Sequence, residues 1–271
     1  MQHFLLTRFN LKHNVGISEH EFLGLSEEWL TDRFRLFENF CMPSVLGQST
    51  TNFNWILLFD KQTPTCSRTH AEQLVASYPN THLLFINGYE ELITGLQAFI
   101  GNFITPSDKY IITTRLDNDD IIHKDFIKSI QDVAEPNELI IDIRRGYQMQ
   151  IKDKGFLLRE HYAEYNPFIS IVESVTDFKT VLSKAHKDWK FSAEKKIVIK
   201  KPIWIEYVHL KNLSNRPKPL LPISLKDNLN DFQLHDISPS MSKFKIRMNN
   251  ILLYPLMVLF KFYETYVRKP V

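Results

Sequence analysis

Short apolar runs alternate with segments of helical spacing along the first half of the chain. The runs are rich in aliphatic and β-branched residues and predict buried strands at 3–9, 55–60, 81–86 and 110–114. The segments between and after them place apolar residues at helical intervals and predict helices at 29–46, 68–77, 89–103 and 123–134. Ser26 or Thr31 is suited to cap the first helix, and Asp120 the last. This alternation predicts an α/β fold with a mostly parallel sheet and helices on both faces.

The pattern changes after residue 138. Residues 138–144 and 155–159 are predicted as strands that form an antiparallel pair around the turn at Asp153-Lys154-Gly155. Further strands are predicted at 168–172 and 203–208, with a helix at 178–186. Residues 212–243 are rich in Asn, Pro, Ser and Asp and are predicted as a loop.

The C-terminal segment has a different composition. Residues 251–260 are apolar, and lysines and arginines flank them on both sides, with Glu264 as the single acid. Basic flanks, several aromatic residues and a stretch too short to span a bilayer predict an amphipathic helix in a membrane interface. A helix packed on its own domain or on a second copy of the chain is the alternative.

Composition narrows the function classes. The chain has 271 residues, 44% of them apolar, which is enough to bury a large core. A net charge of +2 gives no general signal for a polyanion, so nucleic acid is not an expected partner. Cys41 and Cys66 have neither zinc-site spacing nor a disulfide framework, and the first residues lack a signal-peptide pattern. A cytoplasmic enzyme, peripheral on the inner membrane, is therefore expected.

An acidic cluster follows the fourth predicted strand. Asp117, Asp119 and Asp120 lie within four residues, and such carboxylates repel one another unless a positive charge lies among them. Mg²⁺ or Mn²⁺ prefers oxygen ligands and can bridge carboxylates to a diphosphate. The cluster therefore predicts a metal site for a nucleotide-linked substrate.

Other polar residues end neighbouring strands on the same predicted edge. Thr7 and Arg8 end the first strand, Asp60 ends the second, and Arg115 precedes the acidic cluster. In open α/β sheets, ligands bind outside the carboxyl ends of the strands. The chain contains neither GxGxxG nor GxxxxGK[ST], so a metal is expected to hold the phosphates in place of a glycine-rich loop.

Several segments together resemble the bacterial rhamnosyltransferase family, within the GT-A class of nucleotide-sugar glycosyltransferases. The segments are Phe4-Leu-Leu-Thr-Arg-Phe-Asn10, Phe37-Glu-Asn-Phe-Cys-Met-Pro-Ser44 with Gln48, Phe53-Asn-Trp-Ile-Leu-Leu-Phe-Asp60, Thr113-Thr-Arg-Leu-Asp-Asn-Asp-Asp120, Gly146-Tyr-Gln148, Asn166-Pro-Phe168, and Trp204 to His209 with Asn212. The resemblance implies a GT-A (Rossmann-like) domain at 1–215, divided into a nucleotide-sugar half at 1–120 and an acceptor half at 121–215. A linker at 216–243 and the basic amphipathic segment at 244–271 would follow it.

The resemblance also implies roles for individual residues. Asp117 and Asp119 would bind metal and donor, and His209 would complete the metal shell. Asp60 would bind the base or ribose, and Thr7, Arg8 and Arg115 would contact the donor. The implied partners are a nucleotide-diphosphate sugar and a glycan or lipid-linked glycan acceptor.

Transfer to an acceptor hydroxyl needs a general base. Glu173, which follows the predicted strand at 168–172, is the expected base, and Asp177 and His186 compete for the role. Inversion is expected because the chain offers no dedicated second nucleophile. A metal-dependent nucleotidyltransferase or phosphohydrolase, and a non-catalytic glycan- or nucleotide-binding protein on the same fold, remain as alternatives.

Overall fold

A computed structural model describes residues 1–12, 23–209 and 216–266. At its centre is a seven-stranded sheet with the strand order β10-β6-β9-β4-β1-β2-β3. These strands are β1 (Gln2–Arg8), β2 (Asn54–Asp60), β3 (Thr81–Ile86), β4 (Tyr110–Asp117), β6 (Leu139–Ile143), β9 (Ser170–Ser174) and β10 (Lys195–Ile199). All neighbours pair in parallel except β9, which runs antiparallel to β4 and β6. The predicted α/β class with a mostly parallel sheet is confirmed.

A second sheet of four strands follows the order β5-β11-β7-β8. Its strands are β5 (Ile121–Ile122), β7 (Arg145–Lys152), β8 (Gly155–Tyr162) and β11 (Trp204–Tyr207). The turn at residues 153–154 is where it was predicted, but the antiparallel partner of β8 is β7. Residues 138–144 were predicted as that partner, and this prediction was wrong. They form β6, which lies in the central sheet between β10 and β9.

The helices cover the sheets between the strands. They are α1 (Glu27–Leu36), α2 (Met42–Leu46), α3 (Thr65–Val75), α4 (Leu92–Gly101), α5 (Phe126–Gln131), α6 (Lys243–Met248) and α7 (Tyr254–Tyr266). Ser26 caps α1, since its hydroxyl accepts a hydrogen bond from the Trp29 N–H. A π turn at Phe37–Cys41 joins α1 to α2, so the predicted helix at 29–46 is one element with a widened turn.

Two helix predictions need correction. Residues 178–186 form 3₁₀ turns at Val181–Ser183 and from His186 onward, because Thr180 has a φ of 71°, which no α-helix accommodates. Asp120 is not a helix cap. Helix α5 begins later, after Asp125, and the Asp120 carboxylate accepts a hydrogen bond from the Tyr207 N–H instead.

The segment predicted as a linker packs against the second sheet. Residues 216–242 have little regular structure, yet Ile223, Leu229, Phe232 and Leu234 are buried, three of them in the same cluster as β7 and β11. Short β-bridges also join Pro239 to Phe156 and Ile223 to Arg159. The segment is therefore part of the folded body, and its apolar residues explain why.

The C-terminal helix extends from the body. A π turn at Asn249–Leu253 connects α6 to α7, and Ile246 is the buried residue of α6. Beyond it the apolar side chains are exposed, with Ile251 at 68% and Leu259 at 64% of their accessible surface. Packing on its own domain is thus excluded for the described residues 251–259. No helix in the described part of the chain is long and apolar enough to cross a membrane.

Candidate active site

The acidic cluster lies at the carboxyl end of β4, in the middle of the central sheet. Asp117 is the last residue of β4 and is the register partner of Arg8 on β1. Arg8 Nη2 lies 3.3 Å from Asp117 Oδ1, and Arg115 Nη2 lies 2.9 Å from Oδ2. Arg115 reaches the same carboxylate because residues two apart in a strand lie on one face. Arg8 also donates a hydrogen bond to the Tyr89 hydroxyl.

These arginines determine the charge of Asp117. Burial alone would raise the pKa of its carboxyl group, but the guanidinium groups of Arg115 and Arg8 outweigh burial and hold the pKa far below its usual value. Asp117 is therefore ionised at any physiological pH, while 29% of its side chain stays accessible. The Asp117 carboxylate is thus held between two guanidinium groups at the partly accessible carboxyl end of β4.

Asp119 has a different set of partners. Its Oδ2 lies 2.8 Å from Arg33 Nη1 and 3.0 Å from His209 Nε2. Arg33 also donates to the Asn118 side-chain oxygen. Asp119 and Arg33 are both buried. The structure thus brings His209 to the acidic cluster, as the resemblance implied.

Sequence reasoning missed Arg33. Arg33 lies in α1. Counted from Leu30, the residues Arg33, Phe34 and Phe37 follow at intervals of three, four and seven, so all four lie on one face of the helix. A charged residue on the apolar face of an otherwise amphipathic helix indicates a buried partner. That signal was present in the sequence.

Asp120 points into the protein. Its Oδ2 is buried and has no hydrogen-bond partner among the described residues. Burial raises the pKa of the Asp120 carboxyl group well above its usual value, and the negative charges of Asp119, Asp117 and Glu206 raise it further. The group therefore favours its neutral form and adds little negative charge to the edge.

Two predicted donor contacts are engaged in the fold itself. Thr7 is fully buried, and its hydroxyl accepts a hydrogen bond from the Trp55 indole N–H at 2.9 Å, so it does not face the ligand edge. Asp60 does lie at that edge, at the end of β2, but its two carboxylate oxygens accept hydrogen bonds from the backbone N–H groups of Lys12 and Gln62. Asp60 thus organises the loops around the edge.

The predicted base Glu173 is not brought to the acidic cluster. It is paired with Ile111 near the start of β4, six residues and about 20 Å from Asp117. Its carboxylate accepts hydrogen bonds from the N–H groups of Lys179 and Thr180. Because β9 runs antiparallel to β4, the carboxyl end of β9 lies beside the amino end of β4, away from Asp117. Glu173 and Asp177 line a separate cavity there.

His186, the other candidate, lies on the side of the acidic cluster. Its Nδ1 is hydrogen-bonded to the Tyr165 carbonyl. Four residues after Tyr165, the Ile169 carbonyl accepts a hydrogen bond from the Arg115 backbone N–H, which connects this segment to β4. Burial lowers the pKa of His186, and the charges of Arg115 and Asp117 also act on it. A neutral imidazole that donates through Nδ1 leaves Nε2 as a proton acceptor.

A cavity of about 450 Å³ adjoins Asp119. Helix α1 forms one wall, β7 and the end of β11 form the other, and Arg33 and His209 line the cavity on the side of Asp119. Trp29 and Tyr207 contribute aromatic surface. The volume is that of an ordinary small-molecule site.

The donor set fits a divalent cation in part. Asp119 offers carboxylate oxygen, the ligand type that Mn²⁺ and Mg²⁺ prefer, and the imidazole nitrogen of His209 lies 3.0 Å from it. Within residues 1–12, 23–209 and 216–266, no three His, Cys, Asp or Glu side chains come together as a ligand set. Mg²⁺ is commonly held by one or two carboxylates together with substrate phosphates, so the Asp119 carboxylate is the part of the pair that fits this arrangement.

Comparison with known sequences identifies the family. A family model described as "Putative rhamnosyl transferase" matches residues 2–220. The chain belongs to this family. It is thus a glycosyltransferase, and the match covers both sheets and the whole acidic edge. A search of curated proteins finds no match.

Solved structures give more distant likenesses. TarS 1–349 of S. aureus, alone and in complex with UDP, shares 10% identity with a TM-score of 0.44 in each case. The matches cover 76% and 77% of this glycosyltransferase, which spans only 60% and 61% of those TarS chains. The inositol-1-phosphate CTP transferase of T. maritima shares 9% identity with a TM-score of 0.36, over 76% of this chain and 89% of that one.

Proposed function

We propose that this protein is a metal-dependent, inverting glycosyltransferase that moves a sugar from a nucleoside-diphosphate donor to a bacterial surface glycan. Family membership supports sugar transfer and makes rhamnose the first sugar to test. The observation that carries the proposal is the arrangement at the end of β4. Asp117 contacts Arg8 and Arg115, Asp119 contacts Arg33, and a cavity of suitable size adjoins Asp119.

Arg8 and Arg115 are the proposed diphosphate ligands. In sugar transfer, negative charge develops on the departing diphosphate, and guanidinium groups aimed at that charge lower the barrier. Both arginines now contact Asp117 at an edge that is partly open. In the complex, Arg8 and Arg115 would donate some of their hydrogen bonds to the phosphates, and their remaining contacts with Asp117 would hold the guanidinium groups in position.

Asp119 and His209 are the proposed protein ligands of the metal. A bound Mn²⁺ or Mg²⁺ would supply further positive charge for the leaving group. Arg33 holds Asp119 in a single orientation at 2.8 Å. His209 is held by the same carboxylate, so both donors are oriented in advance.

His186 is the proposed general base. It would take the proton of the acceptor hydroxyl on Nε2 while the Tyr165 carbonyl fixes the ring through Nδ1. Its lowered pKa keeps the imidazole neutral at physiological pH. The alternatives from sequence, Glu173 and Asp177, lie at the opposite edge of the sheet.

A lipid-linked glycan at the inner membrane is the proposed acceptor, and the exposed C-terminal helix is the proposed membrane contact. Its apolar residues are exposed, and Lys243, Lys245 and Arg247 precede them. A basic and apolar helix suits an anionic bilayer surface.

A thermal-shift screen tests the donor. UDP, dTDP, GDP and their sugars would be added with and without Mn²⁺, since a matched ligand stabilises the folded state by mass action. We expect one base to stabilise the protein, more strongly with metal, and Asp119→Asn to remove the metal effect. Asp132→Asn is the control, because Asp132 forms an exposed ion pair with Lys128.

Product analysis separates the remaining functions. A glycosyltransferase releases the nucleoside diphosphate and a glycoside, whereas a phosphohydrolase releases phosphate or monophosphate. Stabilisation by no nucleotide or nucleotide sugar would contradict the proposal, and binding without turnover would favour the non-catalytic alternative.

The metal site has its own test. His209→Ala should raise the Mn²⁺ concentration needed for half-maximal stabilisation about tenfold, since an imidazole donor is lost. His235→Ala is the matched control, because His235 is exposed and distant from the acids in sequence. An unchanged metal titration in His209→Ala would remove His209 from the shell.

A further inference from the structure

The cavity beside Asp119 carries an excess of positive charge. Its lining contains four permanent cations, Arg33, Arg35, Lys152 and Arg216, against one carboxylate, Asp32. Arg33 is neutralised by Asp119 at 2.8 Å. Arg35 lies 3.9 Å from Asp32, and 69% of its side chain is exposed, so this pair adds little stability.

Lys152 and Arg216 account for the excess. Lys152 ends β7, Arg216 lies opposite on the segment that packs against the second sheet, and both are exposed. Neither has an ion-pair partner in the described part of the chain. Their charges are therefore available to a ligand in the cavity, where the protein walls strengthen their field.

The position of the cavity separates it from the proposed diphosphate ligands. Arg8, Arg115 and Asp117 lie at the carboxyl ends of β1 and β4. The cavity is built instead from α1, β7, the end of β11 and the segment at Arg216, and none of those three residues lines it. A second substrate can therefore occupy the cavity while a diphosphate is bound at Arg8 and Arg115.

The lining also suits a carbohydrate. Trp29 and Tyr207 offer aromatic surface of the kind that packs against sugar rings. Trp29 is held in place by the Arg33 guanidinium, 4.8 Å from its ring. Aromatic walls next to unpaired cations combine recognition of a sugar with recognition of an anion.

We propose that this cavity binds an anionic segment of the acceptor glycan, with Lys152 and Arg216 contacting its phosphate or carboxylate groups. The inference rests on the proposed glycosyltransferase function and specifies its acceptor class. A neutral glycan gains nothing from two unpaired cations, whereas an anionic one gains affinity and specificity from them.

Isothermal titration calorimetry tests the proposal with three oligomers of equal length. The probes are a glycerol phosphate oligomer, an oligogalacturonate and a neutral maltooligosaccharide, each titrated with Mn²⁺ and the best-stabilising nucleoside diphosphate present. We expect at least one anionic oligomer to bind at least tenfold more tightly than the neutral one. The two anionic probes distinguish phosphate from carboxylate, and binding should weaken as salt is added.

The variants assign the effect to the cavity. Lys152→Glu with Arg216→Glu should weaken the anionic probe at least tenfold and leave the affinity for the nucleoside diphosphate unchanged. Lys154→Glu is the matched control, because Lys154 is an exposed lysine two residues away that does not line the cavity. It makes the same charge change as Lys152→Glu alone, at the same end of the hairpin.

Three outcomes would overturn the inference. They are equal binding of the neutral oligomer, no binding of either anionic oligomer, and an equal loss of nucleoside-diphosphate affinity in the double variant. The last would make the cavity part of the donor site. A wild-type protein that binds no nucleoside diphosphate would instead contradict the proposed function itself, so the two failures can be told apart.

Discussion

At the scale of single residues, the buried His3 should make the folded protein less stable in acid. His3 lies inside the central sheet, with Nε2 at 2.8 Å from the Thr114 hydroxyl. Burial lowers its pKa from 6.5 to about 3. As pH falls from 6.5, the unfolded chain takes up a proton that folded His3 still refuses, so the free energy of unfolding decreases until the pH approaches 3.

His3→Gln should remove part of this acid sensitivity. The glutamine amide can retain a hydrogen bond to Thr114 but has no titration in this range. We expect the wild type to lose up to about 1.4 kcal/mol per pH unit more than the variant between pH 6 and pH 4. Urea unfolding at each pH measures this, with His235→Gln as the exposed control. Parallel curves for His3→Gln and wild type would contradict the neutral assignment of His3.

His186 has a kinetic signature of its own. A general base must be neutral to accept a proton, and the pKa of His186 is lowered by burial. The acid limb of the kcat profile should therefore lie below pH 6.5, the usual histidine value. His186→Ala should lower kcat about 100-fold or more and remove that limb, while the donor KM stays similar. A variant with full activity would exclude His186 as the base.

Residue roles could be predicted from sequence only in part. The crowding of Asp117 and Asp119 on a strand end was visible, because mutual repulsion of acids is a local property. The use of Thr7 in the core was not, because it depends on Trp55, which lies 48 residues away. The position of Glu173 away from the acidic cluster could not be predicted for a similar reason: the antiparallel direction of β9 is a long-range property that no local pattern encodes.

At the scale of elements, one very close contact lies within the second sheet, between the neighbouring strands β7 and β11. Gly146 on β7 lies against the Trp204 indole, and an added Cβ would meet its ring atoms at 2.1–2.5 Å. Trp204 is fully buried and donates to the Ile143 carbonyl, so it has no room to move.

Gly146→Ala should therefore destabilise the protein by about 1–3 kcal/mol, the usual cost of overpacking. Gly101→Ala is the matched control, since nothing lies within 4 Å of a Cβ at the end of α4. The control should be neutral or gain up to about 1 kcal/mol from reduced backbone freedom. Denaturant midpoints compare the two, and equal stability of both variants would show that Trp204 yields easily.

Strands that are continuous apolar runs were predicted well, whereas a strand with alternating residues and a segment of 3₁₀ turns were not. The strands β1 to β4 are continuous apolar runs, typical of buried parallel strands. Strand β7 was missed although Tyr147, Met149 and Ile151 alternate with polar residues, the signal of a half-buried strand. The helix predicted at 178–186 was wrong because the backbone of Thr180, at φ 71°, cannot be inferred from its apolar neighbours.

At the scale of the whole molecule, the C-terminal helix is the largest exposed apolar surface of the described chain. Deleting residues 244–271 should abolish flotation with vesicles that contain phosphatidylglycerol, because both the apolar residues and the basic ones are lost. Leu256→Asp with Leu259→Asp should act similarly without shortening the chain. Phe191→Ser is the control, since it removes one apolar side chain elsewhere that is even more exposed than Leu256 and Leu259.

Retained flotation of the truncated protein would contradict the membrane contact. If truncation instead changes the molar mass in light scattering and vesicle binding is absent throughout, the helix pairs with a second copy. Vesicles of phosphatidylcholine alone should bind the full chain less tightly, because the lysines and Arg247 lose their anionic partners.

The π turn at Phe37–Cys41 sets the rotation of α2 relative to α1 about the helix axis. Before the turn, Arg33 reaches Asn118 and Asp119; after it, the Ser44 hydroxyl and the Gln48 amide bond to the backbone of Ile122 and Ile127. An uninterrupted α-helix would rotate one group away from the other by about 100°, the angle of one residue. Deleting a single residue here should therefore separate Arg33 from Asn118 and Asp119 while the helix itself stays intact.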